Sequence, residues 1–340
     1  MEGLRAQARD NFLASNYCGQ EGPGNVIQLT TIRKYVSGDT SIEKEEIRST
    51  EIVHRVTQPL SQYQDRDVVA SLQLVRLDRG ETSNRLCVDE STFLQLFEAL
   101  RLDQYSLQLL INNARSFYQL PRRLAQSEDS KITNFYLNSV QYNLLWSYDS
   151  ADASTRVLLL NISEIDQQFY DLIYRNLVEI LDYHIDLAQE SCFFSFACAV
   201  CVVRTLDHVR SESQLRILKI MAKTGHGWNQ GIPTGDRPTT SELAEMSKEI
   251  GLVQSILVGN TRTCYIAKDL FEELSSVATS SPHNATSLVE ALTVLEQGVN
   301  QVECLFSYLR ELARIQQSVV SSSAWKHAHT SVMIPIIDEA

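Results

Sequence analysis

The chain of 340 residues lacks the features that would place it in several large protein classes. It has no apolar run long enough to cross a bilayer: the longest, Cys192–Val203, is twelve residues between Glu190 and Arg204, where a spanning helix needs about 20. Basic residues are scarce, with 30 Lys plus Arg against 42 Asp plus Glu, and the formal charge of -12 opposes a general affinity for nucleic acid or anionic membrane. The opening MEGLRAQARDNF is charged where a secretory signal needs an apolar centre. The sequons at Asn161 and Asn284 are therefore expected to be idle. Seven cysteines, an odd number without framework spacing, point to reduced thiols in a cytoplasmic setting. Missing too are a phosphate-cradling glycine loop, a nucleophile elbow and a kinase signature, so the chain reads as non-enzymatic.

What is present is apolar patterning. Hydrophobic residues make up 44% of the chain and charged residues 21%, enough to bury a sizeable core. From Leu243 to Ala278, apolar residues alternate three and four apart through Met246, Ile250, Val253, Leu257, Cys264, Ala267, Phe271 and Leu274. From Leu288 to Val320 the pattern returns through Leu292, Leu295, Val299, Val302, Phe306, Leu309 and Ala313. A period near 3.5 puts each set on one seam of a helix, and a seam that long must be buried against other helices. The two helices, about 55 and 50 Å long at 1.5 Å per residue, are expected to form an antiparallel hairpin turning within Thr279–Asn284. Thr239 and Glu242 have capping-box spacing at the start of the first helix, and Ser281 with Pro282 has the look of a cap and first turn for the second. Asn260 and Gln316 are polar seam positions that either set register and oligomer state or face a wet gap.

Upstream, residues 1–24 read as a loosely ordered lead-in and 25–161 as an α/β domain with a mixed sheet. Strands are expected at Asn25–Thr31, Val68–Asp78, Lys131–Tyr148 (one long strand or two paired) and Thr155–Asn161, with turns at Gly38-Asp39 and Asp149–Ser154. Glu43–Arg48 reads as one or two helical turns. Asp89 caps a helix through Leu100, and a second is expected over Tyr105–Phe117. Residues 162–320 read as a long-helix bundle, beginning with a capping box at Ser163 and Asp166 and carrying a second helix from near Glu190 to Met221. A glycine- and proline-rich loop spans Gly225–Pro238, and 321–340 form a mobile tail. The fold class is therefore α+β: a mixed β-sheet domain flanked by helices, followed by a long helical bundle with an antiparallel coiled-coil hairpin.

Candidate chemistry is thin. Cys198 and Cys201 form a C-x-x-C, with Cys192 nearby, but in an apolar helix and without a second pair, as buried inert thiols would be. His226 lies between glycines beside Trp228, where either a ligand contact or a structural loop role fits. His184 and His208, near Asp182, Asp186 and Asp207, lack the spacing of a helix-borne zinc site, and His327 with His329 offers adventitious metal contact. Glu43, Glu45 and Glu46, or Glu272 and Glu273, can touch magnesium weakly through water, though such runs are also simply solvated faces. No cofactor is expected, no metal ligand can be assigned, and Ser195, inside an apolar helix, has no claim to be a nucleophile.

Four segments in order resemble a known family. QYNLLWSYD (Gln141–Asp149), TRVLLL (Thr155–Leu160), TGHG (Thr224–Gly227) and YLRELARIQQSVV (Tyr308–Val320) look like the fungal CorA-like magnesium-transporter proteins, over about Val88–Val320. The resemblance implies an α/β domain joined to a helical bundle that assembles as a cytoplasmic funnel, with the last segment lying in the family's long stalk helix. It also implies two membrane helices with a Gly-Met-Asn signature, and neither follows Val320, so this chain alone is not expected to transport ions. The implied partners are further copies of the chain or a membrane-bearing relative, met through the long helices. The alternative is a cytosolic helical scaffold or protein-interaction module with no ion role.

Overall fold

The computed structural model describes residues 2–19, 26–58, 62–63, 66–79, 85–120, 132–139, 142–161, 167–225, 238–280 and 285–337. The chain divides into two compact units, Met1–Cys201 with Asp269–Ala285, and Val202–Lys268 with Thr286–Ala340.

The first unit is built on a mixed sheet. Its strands are β1 (Val26–Tyr35), β2 (Thr40–Arg48), β3 (Gln62–Tyr63), β4 (Arg66–Leu77), β5 (Phe117–Leu120), β6 (Ile132–Asn138), β7 (Tyr142–Asp149) and β8 (Ser154–Asn161). They run in the order β2-β1-β4-β8-β7-β6-β5, with the short β3 paired to β4. Only β4 and β8 are parallel; the other neighbours are antiparallel. Gly38, at φ +87°, makes the turn between β1 and β2 that a side chain would strain.

Helices cover both faces. On one side lie α1 (Glu2–Ala14), α2 (Ser49–Thr57), α3 (Glu90–Ala99) and α4 (Tyr105–Ile111). Phe12, Ile52, Val56, Phe93, Phe97 and Leu107 from these helices share one core with Leu29, Val75, Tyr136, Leu145 and Leu158 from the strands. On the other side are α5 (Gln167–Tyr183), the first turns of α6 (Phe193–Thr224) and the last turns of α7 (Thr240–Ser280). Here Trp146 meets the edge of Phe194 at 5.1 Å, and Tyr174 shares a 2.5 Å hydrogen bond with Thr30. The guanidinium of Arg76 lies 4.5 Å over the ring of Tyr170 and donates to Asp171 at 2.5 Å.

The second unit holds the rest of α6 and α7 with α8 (Ala285–Ile337). The antiparallel hairpin is present: Ser247 bonds Gln317 at 2.8 Å while Lys268 pairs with Glu303 at 2.6 Å, so the α8 partner moves toward its N-terminus as α7 advances. In α7 the seam residues from Leu243 to Leu274 are all buried, and in α8 those from Leu288 to Val320 are buried except Leu295, which is partly so. The capping box forms as expected, with Glu242 accepting from the Thr239 backbone at 2.7 Å and the Thr239 hydroxyl accepting in return at 3.3 Å.

Four expectations are corrected. The opening residues are not a loose lead-in but α1, because Arg5, Ala8 and Phe12 share a helix face that the rest of the unit buries. Glu43–Arg48 is strand, since Thr40–Arg48 pairs in full register with β1 and its charges stay at the sheet edge. The helix begun at Tyr105 ends at Ile111: Asn113 turns left-handed at φ 46° and Phe117 enters β5. The residues expected as a tail from 321 continue α8 to Ile337. Also unforeseen was α2, a short helix whose Ile52 and Val56 enter the core. The capping pairs at Ser163/Asp166 and Ser281/Pro282 lie outside the described residues.

Candidate functional site

Alternation along a strand sends every second side chain to the same face, so residues in register on neighbouring strands form rows across the sheet. On the face carrying α1 to α4, the rows nearest those helices are apolar. The next row is polar from edge to edge: Glu43, Thr31, Gln73, Arg156, Ser147 and Asn134, on β2, β1, β4, β8, β7 and β6. Beside it runs Ser41, Arg33, Ser71, Ser154 and Asp149. Eight of these eleven are buried, and Glu43, Ser41 and Arg156 are partly so.

The connection between α3 and α4 is fastened to this strip. Ser147 Oγ donates to Leu100 O at 2.6 Å, and the Asp103 backbone donates to Asn134 Oδ1 at 3.0 Å. Arg101 then turns left-handed at φ 55°, a conformation L residues other than Gly and Asn rarely adopt, and its guanidinium reaches Asp149. Ala153 is also left-handed, at φ 47°, immediately before Ser154. Two strained backbones therefore border the same strip. Asp103 itself is held by Arg5, whose Nη2 donates to it at 2.6 Å, and Arg33 donates to Glu43 at 2.9 Å.

At the centre, hydrogen bonding is incomplete. Arg156 Nε and Nη1, Gln73 Oε1 and Ser154 Oγ are buried with no partner. Burial and the nearby Arg101 lower the pKa of Arg156, while Asp152 and Asp149 pull the other way. Such a strip has one guanidinium, an amide oxygen and a hydroxyl available to a small polar ligand. The signal for it was in the sequence, as a lone cation inside the otherwise apolar TRVLLLN, but strand periodicity alone does not separate a functional cation from a solvated one.

The residues singled out from sequence are not brought together. Cys198 and Cys201 are buried, with burial holding the Cys198 thiol far above its ordinary value, and Cys192 is pushed up to about 11 by burial and Glu190. Cys192 and Ser195 line a cleft with Thr133, Tyr148 and Glu273 on the other face of the sheet, and no histidine lines it. His184 packs edge-on against Phe196 at 5.1 Å, an aromatic contact, and His208 is exposed. Glu43 and Glu45 pair with Arg33 and Arg55, Glu46 is exposed on the opposite face, and Glu273 has its carboxyl raised by burial. Among the described residues no three His, Cys, Asp or Glu side chains are grouped to hold a metal. His226, Gly227 and Trp228 lie outside the described residues, as do the side chains of His327 and His329. Thr224 of the TGHG segment is placed, and its hydroxyl donates to Gln316 at 3.1 Å, so this polar seam residue engages α6. Asn260 turns inward and donates to Ile256 O of its own helix at 2.8 Å.

In the second unit, apolar residues also point outward. Val294, Tyr308 and Ile315 are exposed along α8 at separations of two heptads and one. Tyr308 lines a groove of about 300 Å³ with Leu218 and Met221 of α6 and Leu305 and Leu312 of α8. No helix among the described residues is long and apolar enough to cross a membrane.

Fold and strip together define an α+β protein with a helix-covered mixed sheet in one unit and long paired helices in the other. Among solved structures it is similar to the full-length CmaX protein, at 12% identity and a TM-score of 0.50, over 93% of this chain and 84% of that one. At that identity the likeness speaks for the fold alone. No family model matches the chain, and no curated protein does.

Proposed function

We propose that the chain is a CorA-like, magnesium-transporter-type domain: a non-enzymatic protein that assembles with copies of itself, or with a membrane-bearing relative, through its long helices. The carrying observation is the outward stripe on α8. Tyr308 and Ile315 lie exposed one heptad apart, and Tyr308 joins Leu218, Met221, Leu305 and Leu312 in an apolar groove that a partner helix would cover. The resemblance segments support the reading, with Tyr142–Asp149 forming β7, Thr155–Leu160 lying in β8 and Tyr308–Val320 in α8. The end-to-end likeness in fold to CmaX is consistent with it.

Size-exclusion chromatography with light scattering, with and without magnesium, tests this reading. An oligomer that Tyr308→Glu or Ile315→Glu reduces to a monomer is the expected result, and a strict monomer indifferent to magnesium overturns it. Affinity capture with mass spectrometry separates it from a helical scaffold without an ion role. Recovery of membrane transporters favours the first reading, and their absence the second.

A further inference from the structure

The polar strip carries an inference independent of that reading. Arg156 lies mid-strand in β8, with Gln73 of β4 and Ser147 of β7 in register on either side and Ser154 two residues earlier on the same face. The surrounding charges close among themselves, Arg33 on Glu43 and Arg101 on Asp149, and Ser147 is engaged with Leu100 O. Arg156 is drawn toward Asp149 and Asp152 but makes no hydrogen bond through Nε or Nη1. Gln73 and Ser154, only 2% and 1% exposed, leave Oε1 and Oγ unmet beside it. Buried polar atoms are ordinarily satisfied, and four orphans in one place mark a missing partner.

We propose that this strip binds a hydrogen-phosphate-type oxyanion. The guanidinium supplies donors and one positive charge not matched by a hydrogen-bonded carboxylate, the pairing in which arginine and oxyanions are strongest. Ser154 donates or accepts as the ligand requires. Gln73 Oε1 accepts only, so it needs a ligand that also donates. Sulfate and carboxylates, deprotonated at neutral pH, leave it unmet; phosphate keeps a hydroxyl and fills it. A neutral polyol has the hydroxyl but no charge for Arg156.

The test uses the full chain at constant ionic strength in chloride, sulfate and inorganic phosphate, with methyl phosphate as a further arm for an esterified group. Phosphate is expected to raise Tm by a few degrees, about 3 °C, beyond sulfate, and protein is expected to broaden the phosphorus resonance of inorganic phosphate. Arg156→Met should abolish both effects, and Gln73→Met should abolish the preference over sulfate. Arg156→Lys, which keeps charge but not the planar fork, should weaken the broadening and serves if the methionine variant does not fold. Methyl phosphate, whose second pKa of about 6 leaves it mostly without a hydroxyl at neutral pH, should act no better than sulfate, and a response equal to that of inorganic phosphate would overturn the role given to Gln73. Equal phosphate stabilisation in wild type and Arg156→Met would reduce the effect to general salt action and overturn the proposal. Equal responses to sulfate and phosphate in the wild type, or no broadening at all, would overturn it too, the second leaving the strip to water.

Discussion

Replacing Asp103 with alanine should unfasten α1 from the rest of the first unit. The Arg5 and Asp103 side chains are only 4% and 2% exposed, and Arg5 donates through Nε at 3.0 Å and Nη2 at 2.6 Å. Asp103 also accepts from the Tyr105 backbone at 2.9 Å, at the start of α4. Removing one member of a buried pair strands the other, at about 3–5 kcal/mol. Glu2, exposed and 2.6 Å from Arg5, offers the stranded cation a partner, which places the expected loss near the lower bound, about 3 kcal/mol. The remaining hold on α1 is chiefly Phe12, buried and stacked on Phe93 at 5.0 Å, and full burial of such a side chain contributes about 1.5–3 kcal/mol. The two quantities are comparable, so α1 should open locally before the sheet unfolds. Urea denaturation and amide hydrogen exchange measure both: the midpoint falls, and amides of Glu2–Ala14 exchange much faster than those of β4 and β8. The double replacement Arg5→Met with Asp103→Leu should recover most of the loss, because no charge is left buried. An Asp103→Ala protein with unchanged midpoint and unchanged exchange in α1 would refute the reasoning.

Phe306→Ala, at a fully buried seam position, should cost about 3–5 kcal/mol in urea melts, whereas Leu252→Ala, half exposed on α7, should leave the melt within about 0.5 kcal/mol. Gln316→Leu should leave thermal stability unchanged or raised but loosen the helix register, read by light scattering as a mixture of oligomers. The Glu242 carboxyl is held below its ordinary range chiefly by the Thr239 backbone N–H and then the Thr239 hydroxyl. Its stabilisation of the α7 start is present above the unfolded carboxylate pKa and fades as pH falls through the folded one. Amide protection factors at the first turn of α7, taken relative to the intrinsic exchange rate at each pH, should therefore fall on acidification, and Glu242→Gln should flatten that dependence. A thiol reagent should label Cys304, which is exposed, well before Cys198, Cys201 and Cys264, with labelling of those three followed by mass spectrometry only after denaturation.

The hairpin was legible because its cause is one-dimensional: the seam of α7 and α8 repeats in sequence with the period that burial requires, and Thr239 with Glu242 fixes its start through a local exchange of hydrogen bonds. Strands β7 and β8 were legible for the same reason, through apolar composition. The elements that were missed depend on distant partners. Nothing local tells that Glu43 and Glu45 will be held out along a strand by Arg33 and Arg55, or that Arg5 will meet Asp103 across 98 residues. The polar strip was illegible for a deeper reason. Its row exists only once six strands are set in register, and its members are scattered between Thr31 and Arg156 in the chain.

At the margins of the sheet, β2 presents Glu43, Lys44, Glu45 and Glu46 in succession, and β5 at the opposite margin is only four residues long. An intruding backbone would have to settle among exposed charged side chains, Lys44 and Glu46, on one side and would find few rungs on the other. Both margins of the sheet, as far as its described strands go, are therefore poor templates for strand-to-strand growth between copies of the chain.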